Sequence, residues 1–150
     1  MFPQWLLDEL QIRTEQVSAV HVFKPQAQDS EPELQSERSL TLENIREGRI
    51  CAPCNNGWMS DLEKQCQAIL LDLIRGRRQP GQLSEAECFL VARWAVKTAF
   101  VLNSSANYPI KAPPRQLREL RENAYNLPWG VVVIAATGPS VNFGWFQSNR

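Results

Sequence analysis

The run Cys51-Ala52-Pro53-Cys54-Asn55-Asn56-Gly57-Trp58-Met59-Ser60-Asp61-Leu62-Glu63 constrains this chain more than any other stretch. Two thiolates separated by two residues fit one side of a tetrahedral metal such as zinc. A pair supplies two ligands, so the run reads as half of a site. Ser60 and Glu63 stand at capping-box spacing, each side chain matched to a free backbone N–H of the other. That signal predicts a helix from 60 to about 75, with Leu62, Cys66, Ile69, Leu70, Leu73 and Ile74 on its inner face. Gly76 is a natural stop just beyond it. Cys66 lies inside the apolar stripe, where the ordinary reading is a small buried hydrophobe rather than a third metal ligand.

The cysteines do not suggest a secreted disulfide framework, because three of the four lie in or beside the knuckle or helical apolar patterns. The longest apolar run, 131–136, is too short to cross a bilayer. With no leader visible, the chain is expected to be cytoplasmic. Its 150 residues, 43% of them hydrophobic, suffice for a single domain with one core. Sixteen basic and sixteen acidic residues argue neither for nor against a nucleic-acid partner.

The rest of the chain predicts a mixture of elements. A short helix is expected within 1–11, started by Pro3 and carrying Trp5, Leu6 and Leu10 on one face. Residues 17–23 read as a strand, 24–39 as an exposed loop and 40–45 as a second strand leading to the knuckle. Arg75, Arg77 and Arg78 are the most basic spot, either a solvated helix end or a phosphate contact. Ser84 and Glu87 form a second capping box opening a helix over 84–103. Lys97 on that helix is either a snorkelling surface lysine, the commoner case, or a charge held for function. A third helix, 115–126, turns Leu117, Leu120 and Ala124 inward and Arg115, Arg118 and Arg121 outward, a row that could touch phosphates but that interleaved Glu119 and Glu122 make better read as a salt-bridged face. Residues 131–146 read as a hairpin about a Thr137-Gly138-Pro139-Ser140 turn.

Three chemistries fit the knuckle. Cys51 and Cys54 could hold a metal, or exchange disulfides, or simply fill a tight turn. Disulfide exchange calls for a helix that begins at the first cysteine and lowers its pKa. Here the expected helix begins only at Ser60, and no βαβ pattern precedes the motif, which argues against exchange.

Cys51-x-x-Cys54-Asn55-Asn56-Gly57-Trp58-Met59-Ser60-x-Leu62-Glu63 resembles the second half of a bacterial and phage HNH endonuclease family. The likeness continues through Ala92-Arg93-Trp94-Ala95-Val96-Lys97-Thr98-Ala99 and covers most of the chain. The resemblance implies a ββα-metal site, in which a histidine deprotonates the attacking water and a divalent cation such as Mg²⁺ or Mn²⁺ stabilises charge on the phosphate. It implies that Cys51 and Cys54 are the second pair of a structural Zn²⁺ site, and that Asn55 and Asn56 belong to the catalytic metal region. Glu63 matches the acidic residue of the motif. The family's Glu-His pair and first Cys-x-x-Cys precede a segment like Phe2-Pro3-x-Trp5-Leu6, and both are absent here. His21, the sole histidine, falls in a strand candidate and is an unpromising substitute base.

The expected fold is therefore α+β: a ββα-metal remnant, further helices and a C-terminal β-hairpin, in one HNH-like domain spanning 1–150 and lacking its N-terminal segment. The expected function is that of an HNH endonuclease-like DNA-binding protein, inactive as written. The alternative is a non-enzymatic zinc-knuckle module that binds nucleic acid or a protein partner. In that module the metal is either rebuilt from Cys51, Cys54, Cys66 and His21 or shared between the Cys-x-x-Cys pairs of a homodimer.

Overall fold

The computed structural model describes residues 3–23, 33–41, 50–105 and 112–134, with backbone alone at 17–23, 33–40 and 105. The chain divides into two compact units, Met1–Gly48 and Arg49–Arg150.

In the first unit, helix α1 spans Gln4–Leu10. Pro3 precedes it, and its carbonyl accepts the N–H groups of Leu6 at 3.0 Å and Leu7 at 3.3 Å. Gln11 ends the helix in the left-handed region, at φ 56°. Leu6 and Leu7 are buried. Strand β1, Gln16–Phe23, pairs antiparallel with β2, Glu33–Thr41. The register runs from Gln16 opposite Thr41 to Phe23 opposite Glu33, with an irregularity between His21 and Val22.

The second unit carries the site. A single turn, α2, covers Ala52–Cys54 and runs into a widened turn over Asn55–Met59, which Gly57 interrupts with non-helical dihedrals. Helix α3 follows at Ser60–Ile74, α4 at Glu85–Ser105 and α5 at Pro114–Glu122. Helix α3 packs on α4, and α4 on α5. Leu62, Cys66 and Leu70 repeat every four residues and form the buried stripe of α3. Val96 and Val101 of α4 and Leu120 of α5 complete the core. Arg93 ties α4 to α5, its Nη2 donating to the Leu120 carbonyl at 2.9 Å.

The ends of α3 and α4 show how local chemistry sets boundaries. Gly76, at φ 68°, takes the left-handed conformation that closes α3. Its N–H reaches the Leu73 carbonyl at 3.1 Å, and the Arg77 N–H reaches that of Asp72 at 2.8 Å, a Schellman closure. Before α4, the Ser84 N–H donates to Glu87 Oε2 at 2.9 Å and the Glu87 N–H to Ser84 Oγ at 3.4 Å. That is the predicted box.

The expected α+β class is overturned. The described chain is mostly helical, and the second unit has only helices and turns among its described residues. The knuckle lies in that helical unit, whose described residues contain no strand. Of the expected C-terminal hairpin, 131–134 form no strand, and 135–146 lie outside the described residues. Exposure alternates along 131–134, with Val132 and Ile134 exposed, but an apolar run makes a strand only where a partner supplies the ladder. Residues 33–39, read as loop, belong to β2, and the expected strand at 40–45 survives only to Thr41 within the described residues. Helix α5 stops at Glu122, leaving Ala124 exposed.

Two local expectations also change. The Ser60–Glu63 box does not form: the backbone is already helical at Met59, and no side chain caps there. Lys97 does not snorkel. It is 2% exposed and ion-paired with Glu63 across the α3–α4 contact.

Candidate functional site

Cys51 is the N-cap residue of α2, extended at φ −64° and ψ 142°, and its Sγ accepts the Cys54 N–H at 3.3 Å. Sulfur here takes the place of the usual serine or aspartate oxygen. Pro53 sits in the first turn, where its missing N–H is not needed. Three residues of helix therefore bring both thiols to one turn. All four cysteines are free, with Cys51 exposed and Cys54 half-buried.

The two thiols are electrostatically unequal. The hydrogen bond from the Cys54 side chain, then that from its backbone N–H, pulls the Cys51 thiol below its ordinary pKa, and the positive charge of Arg121 acts in the same direction. Cys54 moves up, first because its thiol donates to Cys51, then through burial and the nearby Cys51 charge. The Trp58 indole approaches the Cys54 sulfur and favours its charged form, but the indole nitrogen is buried with no acceptor in full hydrogen-bond geometry.

Both cysteines border a cavity of about 360 Å³. Ile50, Trp58, Met59, Phe100, Val101 and Leu117 make most of its wall apolar, and Arg118 and Arg121 add positive charge from α5. Arg115 pairs with Glu119 at 2.7 Å, as the sequence pattern suggested for this face. Arg118 and Arg121 form no ion pair among the described residues.

The remaining sequence candidates are placed as follows. Asn55 and Asn56 are exposed, and Asn55 Nδ2 donates to Asn56 Oδ1 at 3.2 Å. No cluster of three or more His, Cys, Asp or Glu side chains suited to a metal occurs among the described residues. His21 lies on β1 in the first unit, and its side chain is outside the described residues. Cys66 is fully buried, its thiol pushed up to about 12 chiefly by burial, and its Sγ donates to the Leu90 carbonyl at 3.4 Å. It is a core residue. The basic spot is also internally satisfied: Arg78 donates twice to Glu87, at 2.7 and 2.8 Å, and Arg77 pairs with Asp72 at 3.6 Å.

Sequence reasoning missed the Glu63–Lys97 pair, although both residues stand in the quoted motifs. A lysine within an apolar helix face was the available signal. Trp94 adds a weak contribution, with Lys97 Nζ 5.9 Å from its ring centroid.

The fold and site define a helical unit with a dithiol turn at the edge of an apolar, arginine-flanked cavity. Comparison with known proteins returns no matching family model, curated protein or solved structure. No helix among the described residues is long and apolar enough to cross a membrane.

Proposed function

We propose that this chain is a zinc-knuckle module, similar in motif to the metal-binding half of an HNH endonuclease, that holds DNA without cutting it. The observation that carries this reading is the seating of both thiols in one helical turn, Cys51 as cap and Cys54 three residues on. Two sulfurs so placed can provide two of the four ligands of a tetrahedral zinc. The matching pair of a second chain completes a four-thiolate site in a homodimer. Zinc bound there supplies a cross-link, since a closed thiolate site is structural rather than catalytic. Arg121 favours the anionic sulfurs, and Arg118 and Arg121, which form no ion pair among the described residues, together offer positive charge to phosphates. Asn55 and Asn56 engage each other at the surface, so a Mg²⁺ or Mn²⁺ nuclease step draws no support from their setting.

The test is metal content together with DNA binding. Reduced chain should retain about one zinc per two chains, lose it on Cys51→Ser, and bind duplex DNA in a salt-dependent way that Arg121→Ala weakens. Plasmid incubated with Mg²⁺ or Mn²⁺ should stay intact. Failure to take up zinc overturns the knuckle, and nicking abolished by Asn55→Ala would restore the endonuclease.

One observation favours a second reading, thiol–disulfide exchange. The helix does begin at the first cysteine, contrary to expectation, and Cys51 is the more acidic thiol. The Cys51 thiolate would attack a substrate disulfide and release one thiolate. Cys54 would then displace the second and close a Cys51–Cys54 disulfide. Rapid closure of that bond by oxidised glutathione, in a chain that takes no zinc, would select this reading.

A further inference from the structure

We propose that the cavity beside the dithiol turn binds a small amphipathic carboxylate, an acid with one charged head and an apolar body. The site goes beyond the knuckle reading and needs no metal. A phosphate backbone can meet Arg118 and Arg121, yet it leaves the remainder of the cavity without a role. Trp58 and Met59 of the widened turn, Phe100 and Val101 of α4 and Leu117 of α5 form an apolar wall drawn from three elements. At about 360 Å³ the cavity matches the size of small-molecule sites, which combine such a wall with a few placed polar groups.

The polar groups at the edge set the charge of the ligand. Arg118 and Arg121 follow one another on α5, both exposed and neither in an ion pair among the described residues. Arg115, one turn earlier, is already paired with Glu119 and does not border the cavity. The arginines that reach the cavity are therefore the uncommitted ones of this helix. A guanidinium presents a planar fork of donors that matches a carboxylate with two parallel hydrogen bonds. Glu122 borders the same cavity and offsets one of the two positive charges. A single net positive charge suits a carboxylate head, whereas the second charge of a phosphate monoester would face Glu122. An uncharged apolar molecule would fill the wall and leave both arginines unused.

The test is calorimetry on the full reduced chain in the presence of a chelator, with octanoate, octanol, octylamine and octyl phosphate as probes. Octanoate should bind once per chain, about tenfold or more tighter than octanol, as expected for charge-assisted hydrogen bonds. Octyl phosphate should bind more weakly than octanoate, and octylamine not at all. Arg121→Gln should remove most of the advantage of octanoate over octanol, and Arg115→Gln should leave it intact. Leu117→Trp, which fills the cavity from α5, should abolish binding of both. Octanol binding as tightly as octanoate, or no binding of either, overturns the proposal. A preference for octyl phosphate overturns the carboxylate assignment. Because the chelator is present throughout, each of these outcomes leaves the knuckle reading as it stands.

Should Leu117→Trp fail to fold, the wild-type chain provides an independent measurement. Cys51 and Cys54 border the cavity, whereas Cys88 is exposed and lies outside it. Saturating octanoate should slow alkylation of Cys51 and Cys54 by iodoacetamide, followed by peptide mass mapping, and leave Cys88 reacting at its original rate. Equal rates at Cys51 and Cys54 with and without octanoate overturn the proposal.

Discussion

Ser60 and Glu63 are spaced like Ser84 and Glu87, each pair beside a long helix, and the two pairs end in different environments. At the second site the side chains exchange bonds with each other's backbone N–H, and Arg78 clamps the same carboxylate from outside. At the first site the chain enters α3 already helical from the widened turn, so no free serine cap exists. Glu63 faces Lys97 instead, a lysine with almost no access to water. A capping box yields about a kilocalorie per mole. A buried ammonium without a counter-charge loses several. The carboxylate goes where the larger penalty lies.

That contrast is open to direct attack, and the largest effect belongs to the buried pair. Glu63→Gln should destabilise the protein by about 3 kcal/mol in urea melts, because breaking a buried pair strands the remaining charge. The figure sits low in the known range because the Glu63 side chain keeps 25% of its exposure. Adding Lys97→Met should recover most of the loss, giving a strong coupling in the double-mutant cycle. An uncoupled result would mean that the pair does not join α3 to α4.

The serines come next and sharpen the comparison. Ser84→Ala should cost about 1 kcal/mol as a lost cap. Ser60→Ala should stay within about 0.5 kcal/mol, as for a helix-surface site without a special role. Equal losses at the two serines would erase the distinction.

The smallest effect lies in the acid limb of stability. Glu87 is lowered from 4.5 to about 2, chiefly by Arg78 and then by Ser84. A folded-state pKa below the unfolded one means stability that is present above about pH 4.5 and lost as pH falls toward 2. Arg78→Gln should flatten that part of the pH profile. A limb as steep as the wild type's would show that the Arg78–Glu87 pairing adds little in solution.

Much of the helical unit could be read in advance. Gly76 stops α3 by its left-handed backbone, the Ser84–Glu87 box opens α4, and Leu62, Cys66 and Leu70 point inward as helical spacing demands. These are local effects, carried by residues within a turn or two. The start of α2 is harder to read, because a cysteine in a Cys-x-x-Cys pair points to a metal or a disulfide rather than to a cap, and Ser60 is the commoner capping residue. The strand at 33–39 was hidden by a polar composition that says loop, and β1 supplies the ladder that overrides it. Of the candidate site, Cys51 and Cys54 come together as the motif spacing implied. Arg118 and Arg121 join them only through the packing of α5 on α4.

By itself the sequence determined where α3 and α4 lie, that Leu62, Cys66 and Leu70 form the inner face of α3, and that two thiols share one turn. Those properties depend on neighbours three and four residues apart, and the chain carries that information along its length. Tertiary structure alone decided that Lys97 is buried, that Glu63 serves it rather than a cap, and that Arg118 and Arg121 border the same cavity as the thiols. Each of those outcomes balances desolvation against a charge tens of residues away, and only packing brings the two terms together.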